Sequence, residues 1–136
     1  MTRTIAFIIL IGVLLSLAVG EQLWIKNVYG RMLNETTEII RIVDATPDTY
    51  LKEDFKFDDY LKVRADNLHH YWRRKEKNMG IIIRHIDLSY ISDALIYARN
   101  FIHFDNKEEA MAGLSRLEYL LDSYKGVFGF NGVNIL

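Results

Sequence analysis

Apolar residues are arranged in two different ways along this chain. From Thr4 to Gly20, seventeen consecutive residues carry no charge. The run is apolar on every helical face, which is rare in a helix that merely contributes one side to a core. Glu21 interrupts it, and Leu23, Trp24 and Ile25 resume it. Crossing the ~30 Å hydrocarbon core of a bilayer takes about 20 helical residues. Thr4 to Ile25 supplies 22, with its one charge at an end, where it reaches the headgroups. Trp24 falls where interfacial tryptophans concentrate.

A cleaved secretory signal is the rival reading of this segment. Arg3 gives a short basic start, and Ala18-Val19-Gly20 offers small residues of the kind a signal peptidase takes. A retained anchor is preferred, because no helix-breaking segment follows Gly20 and a helical pattern continues instead. Lysine and arginine flank both sides of the segment, Arg3 on one and Lys26 and Arg31 on the other. The positive-inside rule is thus nearly balanced. Short-tailed anchors of this kind usually leave the tail inside, which places the residues after about 26 outside the cytoplasm. The chain divides into a transmembrane anchor, residues 1–25, and an extracytoplasmic helical bundle, residues 26–136.

Past the anchor the pattern changes to stripes. Ile25, Tyr29, Met32, Ile39 and Val43, with Thr36 in the gap, alternate by threes and fours, the spacing of one helix face. The anchor is therefore expected to run on as one helix to about Asp44, until Thr46-Pro47 breaks it. A second helix is expected from about Phe57, on the stripe Phe57, Leu61, Ala65, Leu68, Trp72 and Met79. Gly80 loosens its end, and Ile81-Ile82-Ile83 could add a turn. Asp87 or Ser89 could cap a third helix, striped by Leu88, Ile91, Leu95, Ala98 and Ile102. Asp105 and Glu108 resemble a capping box for a fourth, striped by Ala110, Leu114, Leu117, Leu121 and Tyr124, with Gly126 as its stop. The apolar, glycine-broken tail 127–136 is expected to lie over the bundle. The fold class is all-α: a transmembrane helix continuing into a small antiparallel bundle, about four helices in total, since short links favour antiparallel neighbours.

Composition narrows the function classes. At 136 residues there is room for one domain. With no Cys, a disulfide scaffold, a thiolate metal site and a cysteine nucleophile are excluded. A net charge of −1 offers no basic field for nucleic acid.

The densest chemistry lies in His69-His70-Tyr71-Trp72-Arg73-Arg74-Lys75-Glu76-Lys77. Arg73, Lys77 and Arg84, four and seven residues apart, can share a face. They suggest a basic, aromatic-flanked surface for an anionic partner such as lipid headgroups, a wall polymer or an acidic protein. A solvated helix face with Trp72 in the core explains the same residues more simply. Asp66 with His69 or His70 has a spacing that brings two ligands together, but two ligands do not make a zinc site. His85 and His103 read as partners for carbonyls at helix ends. The pairs Asp58-Asp59 and Glu108-Glu109 suit first turns, where acids favour the helix dipole. The sequon Asn34-Glu35-Thr36 sits inside a helical stripe and reads as coincidence. No nucleophile–base or metal constellation is legible, so no catalytic activity, metal or cofactor is assigned.

The segments Trp72-Arg-Arg-Lys-Glu-Lys77, Ile83-Arg-His-Ile-Asp-Leu-Ser-Tyr-Ile91, Asp105-Asn-Lys-Glu-Glu-Ala110 and Asn134-Ile-Leu136 together resemble an uncharacterised family of small single-pass membrane proteins. Its members come from clostridia and related Gram-positive bacteria. The resemblance spans essentially the whole chain, most specifically residues 68–121, and its matching positions are Trp72, His85 and Asp87. It implies a retained anchor and a helical remainder, and no activity. The Gly/Phe-rich stretch 126–133 departs from it. The expected function is a membrane-anchored helical interaction or scaffold module of the cell envelope. It would bind another envelope protein or itself through a surface that includes Trp72, Arg73, Lys77, Arg84, His85 and Asp87. The alternative is a small-ligand or metal sensor using Trp72, His69 and His85.

Overall fold

No proline interrupts the chain before Pro47, and helix α1 runs unbroken from Thr2 to Ala45. At 1.5 Å per residue its 44 residues reach about 66 Å. Helices α2 (Asp59–Met79), α3 (His85–His103) and α4 (Lys107–Val127) follow. The computed structural model describes residues 2–47, 55–80 and 83–127, and among these there are four helices and no strand. The expectations for Ile81, Ile82 and the tail from 128 onward lie outside the described residues.

The two patterns in α1 become two environments. Between Ile5 and Leu23 every large apolar side chain is 41–63% exposed. From Ile25 on, the stripe Ile25, Tyr29, Met32, Ile39 and Val43 is fully buried. One helix near the N-terminus is therefore long and apolar enough to cross a membrane, and its apolar part stands clear of the bundle. Its one hydroxyl in mid-run is satisfied locally, Ser16 Oγ donating to the Gly12 carbonyl at 2.8 Å, as an apolar medium requires. Thr36 uses the same device inside the core. Its hydroxyl donates to the Met32 carbonyl at 2.8 Å, which lets a polar residue fill an apolar stripe at zero exposure.

Helix α1 lies beside α2 and α4, and α3 lies beside the same two, while the backbones of the diagonal pairs stay apart. This is the ring of an antiparallel up-and-down bundle. The expected stripes of α2 and α3 are buried throughout, as are Ala110, Leu114, Leu117 and Leu121 of α4, with Tyr124 half-buried at the margin. Tertiary burial of such faces, rather than intrinsic propensity, supplies most helix stability in a folded chain.

The helix ends differ from expectation. Phe57 is buried but precedes α2, whose cap is Asp58, accepting from the Tyr60 N–H at 3.1 Å. Ile83 does not extend α2. It sits in the connection, its N–H bonded to the Met79 carbonyl at 2.9 Å. Neither Asp87 nor Ser89 caps α3. The cap position is Arg84, whose guanidinium grips Asp87 across the first turn at 2.9 and 3.2 Å, while the Ser89 hydroxyl donates to the Ile86 carbonyl. On α4 the capping oxygen belongs to Asn106, which accepts from the Glu109 N–H at 3.1 Å. Asp105 turns the other way. With φ of 58° it takes the left-handed conformation that Asp and Asn tolerate, and its carboxylate reaches the start of α2. Gly126 does not stop α4, which continues to Val127.

One terminus is closed from a distance. The end of α1 has no basic residue of its own. Lys107, at the start of α4, donates its Nζ to the carbonyls of Asp44 and Thr46 at 3.3 and 2.5 Å. A cation thereby meets the negative end of the α1 dipole.

Candidate functional site

Cross-helix pairs set the register of the bundle. Glu35 meets Arg64 at 3.1 Å, and Tyr29 stacks on Trp72 with ring centroids 6.3 Å apart. Thr37 donates to Glu118 at 2.9 Å, and Gly30 faces Lys125. The C-terminal ends of α2 and α4 and the start of α3 therefore gather at one end of the bundle. This is the end from which the exposed apolar half of α1 emerges.

At that end an open groove of about 750 Å³ runs between α1 and α2. Arg31 from α1 and Asn67, His70, Tyr71, Arg73, Arg74 and Lys77 from α2 line it. The Arg31 guanidinium lies 4.5 Å from the centre of the Tyr71 ring and the Lys75 ammonium 5.7 Å from it, so one aromatic ring orients two cations. Arg73 is shared with Glu76 at 3.2 Å. Among the described residues, no acid pairs with Arg31, Arg74 or Lys77. Farther along the same furrow, away from the apolar half of α1, Glu35 accepts both Nε and Nη2 of Arg64. The furrow is thus neutralised at one end and cationic at the other. On the opposite flank, between α1 and α4, a groove of about 600 Å³ is lined by Glu38, Glu118 and Asp122 with Asn34, Thr37 and Tyr119 among others.

The sequence-predicted surface is only partly assembled. Trp72 is fully buried and cannot present itself to a partner. It stacks on Tyr29 and donates its indole N–H to Ser92 Oγ at 2.7 Å. Lys77 is exposed on α2, but Arg84 does not share its face. Helix α2 ends at Met79, and Arg84 opens α3. Asp87 is held by Arg84 and accepts the Tyr124 hydroxyl at 3.1 Å. Burial, then the bond to Asp87, push the Tyr124 phenol up. Burial does the same more strongly for Tyr29, aided by Tyr124 and Asp87. Both phenols are therefore neutral at ordinary pH.

The histidines are dispersed. His85 opens α3 instead of meeting carbonyls at a helix C-terminus, and its ring lies against Gly80. His103 does lie in a last turn, but its Nε2 faces Asp66 at 3.0 Å. His70 Nδ1 sits 2.8 Å from the Asp66 carbonyl. The Asp66 carboxylate meets Arg99 and His103 of α3 rather than its neighbours on α2. Burial opposes its ionisation, but bonds from His103 and Arg99 outweigh that and hold it below the usual range. His69 is half-buried; burial first, then the charges of Arg99, His70 and Arg73, push its pKa down. Among the described residues no three metal-ligating side chains converge.

Of the groove residues, Arg31 and Asn67 lie outside the basic run expected from sequence, and Tyr71 and Arg74 lie within that run but not among its expected surface residues. Arg31 stands forty residues before Tyr71, so only the fold unites them. The local signal was Arg31 lying six residues past the apolar segment. No protein-family model, curated protein or solved structure matches the chain. Of the residues quoted for the family resemblance, Trp72 lies in the core and His85 and Asp87 in the first turn of α3.

Proposed function

We propose that this is a single-pass membrane protein. Its apolar N-terminal segment is retained as an anchor, and its bundle is an interaction or scaffold module outside the cytoplasm at the cell envelope. The observation that carries the reading is the division of α1. One uninterrupted helix has an exposed apolar half and a half that forms a wall of the bundle core. The bundle is thereby fixed rigidly at the membrane, because no flexible linker separates it from the anchor. Ala18-Val19-Gly20, the candidate cleavage site, is helical along with its flanks, which favours retention over cleavage.

Intact-mass measurement on protein extracted from membranes, combined with crosslinking in those membranes, tests the proposal. The expected species retains the apolar segment 4–25, resists alkaline extraction, and forms adducts with a second protein or a second copy. A soluble product lacking the first twenty residues overturns the anchor. Recovery of monomer alone with several crosslinkers overturns the interaction role.

A further inference from the structure

We propose that the basic groove between α1 and α2 seats the phosphate headgroups of anionic lipids, in the same bilayer that the apolar half of α1 occupies. The inference rests on the anchor reading and adds a ligand to it. Position is the first argument. Arg31 lies six residues past Ile25, about 9 Å along the helix axis. The polar layer on each side of a bilayer is roughly 5–8 Å deep. Side chains lean toward the N-terminus of their own helix. Arg31 on α1 therefore leans toward the membrane, while Arg74 and Lys77 on the antiparallel α2 lean up toward Arg31. The three converge at headgroup height.

Charge is the second argument. Arg31, Arg74 and Lys77 have no acidic partner among the described residues, whereas the distal part of the same furrow is neutralised by Glu35 and Arg64. Uncompensated cations are thus concentrated at the bilayer end. Chemistry is the third. A guanidinium presents a planar fork of donors that matches phosphate oxygens. The Tyr71 ring holds the Arg31 fork in place at 4.5 Å, which lowers the entropy lost on binding.

The full chain, reconstituted in phosphatidylcholine vesicles with and without an equal amount of phosphatidylglycerol, provides the test. Energy transfer from its tryptophans to dansyl-labelled phosphatidylcholine or phosphatidylglycerol reports which lipid gathers at the protein. Each surface cation contributes roughly fivefold, so three set a ceiling of about a hundredfold. We expect the wild type to enrich phosphatidylglycerol by about tenfold or more at low salt, with the preference shrinking as salt shortens the Debye length. Arg31→Gln/Arg74→Gln/Lys77→Gln is expected to bring the two lipids to parity, and Lys77→Glu alone to lower the preference. Arg116→Gln, an exposed cation on α4 outside the groove, is expected to leave it unchanged. A wild type that floats with the vesicles yet shows no lipid preference overturns the headgroup site alone. So does a preference that persists in both groove variants, or one that inorganic phosphate abolishes while chloride at the same ionic strength leaves it in place. A wild type that stays out of the vesicles overturns the anchor and the site together.

Discussion

Trp72 donates its indole N–H to Ser92 Oγ at 2.7 Å, and Ser92 donates its hydroxyl to Glu76 Oε1 at 2.7 Å. This relay crosses from α2 to α3 and returns to α2, where Arg73 holds the other carboxylate oxygen at 3.2 Å. Trp72 is fully buried and Ser92 nearly so. Ser92→Ala therefore strands a buried donor, which costs about 1–3 kcal/mol. Trp72→Phe removes the donor itself. In a double-mutant cycle by urea denaturation, the two substitutions are expected to couple by about 1 kcal/mol. Strict additivity would show that the bond adds nothing to stability.

Glycines 113 and 30 are expected to respond to alanine with opposite signs. A Cβ on Gly113 would stand 2.8 Å from Tyr97 Cδ1 and 2.9 Å from both Cα and N of Ala98. The last two are backbone atoms of α3 and cannot swing aside. Gly113→Ala must push α3 and α4 apart, at a cost of about 1–3 kcal/mol. A Cβ on Gly30 meets only Lys125 Cε, at 4.0 Å. There Gly30→Ala gains helix propensity and is expected to stabilise by about 0.5–1 kcal/mol. Thermal melts of the two variants in detergent check the contrast, and equal shifts would refute it.

Asp105 joins the α3–α4 turn to the start of α2. Its carboxylate accepts the Phe57 N–H at 2.8 Å and pairs with Lys62 at 2.8 Å. Burial opposes its charge, but the bonds from Lys62 and Phe57 prevail and keep it ionised below the usual range. Asp105→Asn keeps an acceptor and a side chain that tolerates positive φ. Asp105→Ala loses both and is expected to cost about 2 kcal/mol, with Asn between it and the wild type. Denaturation midpoints order the three. Asn falling below Ala would contradict this account.

How much of this was legible before the fold was known depends on the range of the interaction. The stripes of α1 to α4 are set by local periodicity, and each apolar position assigned to them is buried or at the margin. The unbroken α1 followed from the absence of proline before residue 47. Helix ends were read less well, because caps are chosen by competition among neighbours. Asn106, not Asp105, caps α4, since Asp105 gains more from Phe57 and Lys62 across the bundle. Arg84 and Lys77 have the spacing of one helix face, but the chain breaks at Gly80 between them. The groove was the least legible part. Arg31 and Tyr71 are far apart in sequence, and only antiparallel packing of α1 on α2 brings a guanidinium over that ring. Trp72 next to a basic run looked like surface, whereas the stripe through Leu68 and Trp72 indicated core, and burial of the large indole decided between them.

Acidification is expected to weaken the bundle through His69. Its folded pKa is depressed, by burial first and then by Arg99, His70 and Arg73, with Asp66 opposing less strongly. The unfolded chain, with an ordinary pKa of about 6.5, takes up protons there before the folded one does. The linkage sign follows: stability rises with pH wherever the unfolded state holds more protons. The bundle should therefore be at full strength above about pH 6.5 and lose stability as pH falls below it. Asp66 does not produce this loss, because its lowered pKa keeps it charged throughout that window. Urea midpoints at about pH 7.5 and about pH 5.5 measure the effect. The wild type is expected to unfold at lower urea at the acidic pH, and His69→Gln to show a clearly smaller difference. An undiminished difference in His69→Gln would assign the acid sensitivity to another group.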